Sequence, residues 1–154
     1  MTIQNARIQG NYSQIAQNQT KCVFCDLRDK YIITELNNVV LTMNLYPYRD
    51  GHLMIVPRRH ILKFSELNEE ESVSIIKLVE KATDLLKTTL GIENIWLIYR
   101  EGPNASKSVA HLHIQVLPVD SQNIILDNTG QKIEYQQLTK SVIDLAAEFR
   151  KNVE

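Results

Sequence analysis

The chain is short of net charge, of long apolar runs and of cysteine, and each shortage closes a class of function. Its 17 Lys and Arg stand against 18 Asp and Glu, a formal charge of −1 over 154 residues. So even a balance offers no electrostatic footprint for duplex nucleic acid and no polybasic handle for an anionic membrane. No apolar run approaches the roughly 20 residues that span a bilayer. Met1 to Thr20 is rich in Gln and Asn and lacks an apolar h-region, so it does not read as a secretory signal. The expectation is a soluble, cytoplasmic protein with no duplex nucleic acid and no membrane among its partners. The remainder, 44% hydrophobic and 23% charged, is ordinary globular composition. It divides into an N-terminal arm over 1–20 and a single domain over 21–154, long enough for its own core.

The two cysteines stand together in Cys22-Val23-Phe24-Cys25. In a cytosolic chain that spacing marks a metal half-site or a redox pair. A redox pair would sit between a strand and the start of a helix. Here a polar arm precedes it and Asp26-Leu27-Arg28-Asp29 follows, which disfavours the redox reading.

Element signals then alternate along the chain. Ile32–Thr34 and Val39–Met43 are β-prone runs separated by Asn37-Asn38, the pattern of a hairpin. Tyr46 to Gly51 is turn-rich, and His52 to Pro57 reads as the next strand. Asn68 with Glu71 forms a capping-box pattern ahead of a helix that Gly91 closes. Its apolar stripe is expected at Val73, Ile76, Val79, Ala82, Leu86 and Leu90. Asn94–Tyr99 is a strand, and a second helix is expected from Tyr135 to about Val153. Strands, helix, strands, helix with short connections predict an α+β domain: an antiparallel meander sheet with a main helix and a C-terminal helix packed on it.

His111-Leu112-His113-Ile114-Gln115-Val116-Leu117-Pro118 carries the strongest functional signal. Period-two alternation on a strand sets His111, His113 and Gln115 on one face and Leu112, Ile114 and Val116 on the other. All four histidines of the chain, His52, His60, His111 and His113, fall near such features. A single histidine is ordinarily a solvated or core residue; the concentration of all of them on two segments is what carries weight. Cys22 and Cys25 with two imidazoles would complete a closed, structural Cys2His2 metal site, His60 and His111 being the candidates. The competing reading is a pair of buried free cysteines. His113 is the candidate nucleophile, since a neutral imidazole attacking phosphorus splits one transfer into two easier ones. Arg100, Lys107, Ser108 and Gln115 supply donors for charge developing on phosphate oxygens. Gly102 to Ser106 offers backbone N–H groups, though with one glycine and no Walker pattern it is a weak phosphate loop. Asn44, at a strand end, reads as a turn residue.

Two segments in this order, Asn44 to His60 and Glu101 to Gln115, resemble the histidine triad family, and the similarity spans roughly Cys22 to Pro118. The resemblance implies an α+β fold, commonly dimeric, that binds nucleotides and transfers or hydrolyses nucleoside monophosphate groups. It implies that His113 forms a covalent nucleotidyl-histidine, that His52 supports it from behind, and that Asn44 binds a ribose. Arg100, Lys107 and Ser108 match loop positions that contact phosphates. Cys22, Cys25, His60 and His111 match the zinc ligands of zinc-containing members. The departure is Gln115, where the usual pattern has a third histidine. His-x-His-x-Gln is similar to the galactose-1-phosphate uridylyltransferase and dinucleoside tetraphosphate phosphorylase branches. Glutamine is neither acid nor base near neutral pH, but it can hold a phosphate oxygen. The expected activity is therefore a nucleotidyl hydrolase or transferase acting on dinucleoside polyphosphates or related nucleotide conjugates, with water or inorganic phosphate as acceptor, a structural zinc and a homodimeric assembly. The alternative is a nucleotide-binding or interaction protein with vestigial chemistry; a purely structural zinc domain would leave His113, His52 and Asn44 without a role.

Overall fold

The structure, a computed structural model, describes residues 21–153 apart from 104, 106–108, 120–123, 128–129 and 134–137. The expected arm over 1–20 and two expected phosphate contacts, Lys107 and Ser108, lie outside the described residues.

Asn37 and Asn38 both take positive φ, 47° and 63°, a conformation Asn tolerates better than most side chains. They join β1 (Ile32–Leu36) to β2 (Val39–Met43) with Leu36 opposite Val39, the tight hairpin their dipeptide predicts. β2 pairs with β3 (Leu53–Pro57). The chain then enters α1 (Glu69–Leu90) and returns as β4 (Ile95–Tyr99) and β5 (Ile114–Pro118). The sheet order is β1-β2-β3-β5-β4, antiparallel throughout. The expected meander thus holds through β3. After that α1 carries the chain to the far edge, and β5 fills the place against β3. β6 (Ile124–Asp127) and β7 (Gly130–Ile133) form a separate hairpin, and α2 (Val142–Asn152) closes the fold. This is the expected α+β class. Among the described residues, no helix is long and apolar enough to cross a membrane.

Asn68 caps α1 by accepting from the Glu71 N–H, while the Glu71 carboxylate accepts from the Asn68 N–H. Gly91, at φ 68°, ends it in the left-handed conformation. The stripe that faces the sheet keeps Ala82 and Leu86 of the expected one, with Val79 and Leu90 packed at its margin, but not its first two members. Ile75, Leu78, Ala82, Leu85 and Leu86 are buried, whereas Val73 and Ile76 are 49% and 61% exposed. Helical spacing fits either stripe. At the first turn Arg59, from the loop after β3, grips Glu71 with two hydrogen bonds of 2.6 and 2.8 Å.

α2 begins at Val142 and not at Tyr135. Ser141 accepts from the Asp144 N–H and starts the helix there. Just before it, the Thr139 N–H is held by the Asp50 carboxylate, so Leu138 to Lys140 take no helical course.

The main core joins Ile33, Leu41, Leu53 and Ile55 of the sheet to Leu78 and Leu85 of α1 and Leu145 and Phe149 of α2. A smaller cluster of Phe24, Met54 and Val56 holds the Cys22–Leu27 segment against the sheet. Gly51, at φ 83°, lets the turn before β3 lie against α1; a Cβ there would come within 2.9 Å of Leu86 Cδ2 and 3.0 Å of Leu90 Cδ1. That turn delivers His52 to the start of β3.

Candidate active site and metal-ligand cluster

Two clusters of polar side chains meet around the start of β5. The first gathers Cys22, Cys25, His60 and His111, whose ligand atoms all lie within 4.8 Å of one another. Cys22 Sγ is 3.4 Å from His111 Nδ1, and Cys25 Sγ is 3.2 Å from His60 Nδ1. His111 Nε2 lies 2.8 Å from the Pro57 carbonyl oxygen. A carbonyl can only accept, so Nε2 carries the hydrogen and Nδ1 turns its lone pair toward the thiols. Burial, and then the neighbouring His60, hold the His111 ring below the ordinary histidine range, with the Pro57 carbonyl pulling the other way. The neutral imidazole that a metal requires is therefore the favoured form. Two sulfurs and two such nitrogens in this arrangement could hold a metal ion.

The second cluster lies at the entrance of β3. His52 is fully buried, and its Nδ1 accepts from the Tyr48 backbone N–H at 3.2 Å. Its Nε2–H therefore donates, to Gln115 Oε1 at 2.6 Å. Asn44 Nδ2 donates to the same oxygen at 3.1 Å, while Asn44 Oδ1 accepts from the Tyr46 N–H. With its oxygen taken twice, Gln115 is oriented, and its amide N–H groups point away from His52. Gln115 is opposite Met54 in the β3–β5 ladder, and Met54 packs in the cluster with Phe24.

His113 stands between the clusters. Its Nδ1 donates to the His111 carbonyl at 2.7 Å, which puts the ring lone pair on Nε2. The Phe24 ring meets it edge-on at 4.9 Å between centroids.

The expected strand His111–Pro118 is shorter than its alternation implies, since β5 starts at Ile114. Residues 111–113 run beside the loop after β3 instead. There the Leu112 N–H bonds to Ile61 and the His111 ring bonds to Pro57, in place of a regular ladder. Burial also sharpens the picture of Asn44: it is 5% exposed, and its amide is engaged with Gln115 and Tyr46. Arg100 follows β4. Tyr99 pairs with Ile114, the residue after His113, so Arg100 leaves the sheet at the end where His113 enters it. Gly102, at φ 99°, turns the loop that follows. Sequence reasoning missed Phe24, the Tyr48 and Pro57 backbone groups, and the Arg59–Glu71 clamp next to His60. Of these only Phe24 carried a signal, its place inside the Cys-x-x-Cys turn.

Comparison with known proteins places the chain in a family. The HIT domain family matches residues 27–122, more than half of the chain, and the protein belongs to that family. A HIT-like protein of Saccharolobus solfataricus is 29% identical over 133 residues, covering 80% of this chain and 96% of that one. The AP-4-A phosphorylase of Mycobacterium tuberculosis is 32% identical over 114 residues, covering 72% of this chain and 58% of that enzyme. A Zn-bound histidine triad family protein from Mycobacterium smegmatis shares the fold with a TM-score of 0.63 at 14% identity, over 92% of this chain and 91% of that one.

Proposed function

We propose that the protein is a nucleotidyl hydrolase or transferase that takes dinucleoside polyphosphates or related nucleotide conjugates and works through a covalent nucleotidyl-histidine. The observation that carries this reading is a pair of fixed side chains: His113 with its lone pair on Nε2, and Gln115 with its amide oxygen held by His52 and Asn44. His113 Nε2 attacks the α-phosphorus, forming a P–N bond as the P–O bond to the departing nucleotide breaks. Gln115, with Arg100, Lys107 and Ser108 from the loop between β4 and β5, holds the phosphate oxygens as charge develops. Asn44 and His52 keep Gln115 oriented, with Asn44 also the expected ribose contact. Water or inorganic phosphate then attacks the phosphorus, the P–N bond breaks, and His113 is regenerated. The match to the AP-4-A phosphorylase and the oriented Gln115 support the phosphorolytic outcome.

Zinc is the metal this reading assigns to Cys22, Cys25, His60 and His111. Bonds of about 2.0–2.3 Å put tetrahedral zinc ligands about 3.3–3.8 Å apart, close to the sulfur–nitrogen distances seen here. With four protein ligands the ion would be structural, contributing folding energy. Thiols kept for a metal suit a reducing, cytoplasmic compartment. A homodimer belongs to the same reading. Its support is β4, the sheet edge, where Leu97 is half-exposed and the exposed Phe64 stacks on Tyr99 at 3.8 Å.

The test is incubation with diadenosine tetraphosphate, with and without inorganic phosphate. ADP plus ATP formed only with phosphate is the expected result; AMP plus ATP in water alone identifies an asymmetric hydrolase instead. His113→Ala should abolish turnover while fold and metal persist, and retained turnover would sink the mechanism. Binding without turnover in the unaltered protein would make it the vestigial nucleotide binder.

A further inference from the structure

Phe24 has a place that neither the ligand cluster nor the proposed chemistry uses. It lies between the two cysteines, in a turn closed by the Cys25 N–H on the Cys22 carbonyl at 3.2 Å. Its ring is 8% exposed and packs with Met54 and Val56, the first of which faces Gln115 across the ladder. One edge contact is to His113, at 4.9 Å and 69° between planes; the other is to His111, at 6.0 Å and 82°. These are the geometries aromatic rings prefer.

The hydrogen bond from His113 Nδ1 to the His111 carbonyl settles which nitrogen carries the lone pair. It does not by itself settle where that lone pair points. The outer torsion of a histidine is broad, and the ring can swing while the bond persists. A contact with the ring itself restricts that swing, and Phe24 supplies one edge-on.

We propose that Phe24 is the positioning residue of His113. Its ring fixes the plane of the imidazole, and the Cys22–Cys25 turn, once clamped to the sheet through His60 and His111, fixes Phe24. The ligand cluster would then act on the nucleophile twice, through the Phe24 ring and through the His111 carbonyl. This rests on the reading of His113 as the nucleophile.

The test uses the full chain loaded with zinc and labelled with 15N at histidine. Ring-nitrogen NMR spectra are taken at one pH where the imidazoles are neutral, for the unaltered protein, Phe24→Leu and Phe24→Ala, with metal content measured for each. His113 should keep its Nδ1–H tautomer in all three proteins, since the His111 carbonyl sets it, with sharp ring signals in the unaltered protein and broadened ones in both variants, the metal retained. With diadenosine tetraphosphate, kcat should fall about threefold to tenfold at unchanged KM, the scale set by one aromatic pair. Phe24→Leu keeps most of the volume and decides the matter if Phe24→Ala loses metal or fold. An unchanged His113 spectrum in metal-loaded Phe24→Leu overturns the proposal whatever the activity. If the unaltered protein turns over no substrate while the spectra change as expected, the chemical reading fails and the positioning role stands.

Discussion

His52 Nε2 lies 2.6 Å from Gln115 Oε1, and the direction of that bond is set from behind, by the Tyr48 N–H on His52 Nδ1. Because a backbone N–H can only donate, the hydrogens along this relay are fixed through to the far side of Gln115. The residue that departs from a third histidine is thereby made an oriented hydrogen-bond donor.

Gln115→Glu tests that orientation. A carboxylate would still accept from His52 and Asn44, so the buried partners stay satisfied and the fold should persist. It would present oxygen where the amide presented N–H, toward a phosphate that is itself negative. Loss of one such donor typically costs about 10²–10³ in kcat. We expect a fall of at least about a hundredfold in steady-state turnover at unchanged metal content. Activity close to that of the unaltered protein would show that the amide hydrogens do not serve the phosphate.

His111 is tied to the cluster and to His113 together, by Nδ1 toward Cys22 and by its carbonyl to the His113 ring. His111→Ala removes only the side chain. Zinc measured per chain should fall from stoichiometric to background, and the melting temperature should drop, because a structural metal contributes its binding energy to folding. In the unaltered protein a strong chelator should lower the melting temperature in the same direction. Full metal content in His111→Ala would remove it from the ligand set.

The separation between what was legible in the sequence and what was not follows the range of the interactions. The Asn37-Asn38 hairpin and the Asn68–Glu71 capping box are local and were readable as they stand. The four ligand candidates were readable because Cys and His are scarce here. The rotation of α1 was not, since Val73 and Ile76 keep helical spacing as well as Ile75 and Leu78 do. Packing against Leu41, Leu53 and Phe149, distant in sequence, decides between them. Nor could the start of α2 be placed, where the Ser141 cap and a bond from Asp50 89 residues away override the apolar pattern. The tautomers of His52, His111 and His113 depend on backbone groups at Tyr48, Pro57 and His111, and a backbone donor or acceptor leaves no trace in residue type.

The rotation of α1 makes a paired prediction. Leu78 is 2% exposed in the main core and Ile76 is 61% exposed. Leu78→Ala should destabilise by about 2–5 kcal/mol, the range for buried leucine. Ile76→Ala should change the stability of the isolated chain by no more than about 0.5 kcal/mol. Urea denaturation of the two variants checks this, and a larger loss for Ile76→Ala than for Leu78→Ala would mean that the helix faces the sheet as its Val73–Ile76 stripe implies.

Glu71 supplies the pH dependence. Its carboxylate accepts two hydrogen bonds from Arg59 and one from the Asn68 N–H. The Arg59 bonds hold its carboxyl below the ordinary glutamate range, against the opposing effect of burial. A value that is lower folded than unfolded means the unfolded chain binds the proton more readily. The stabilisation is therefore present above the ordinary glutamate value near 4.3 and is lost as pH falls through the folded value. The urea midpoint of the unaltered protein should drop between about pH 6 and about pH 2.5, on either side of that value. In Glu71→Gln the drop should be smaller, because the group that takes up the proton is gone. It should not vanish, since Arg58 lowers Glu35 in the same way and the backbone N–H of Leu62 lowers Glu66. An identical drop in both proteins would show that the Arg59–Glu71 clamp contributes nothing to acid stability.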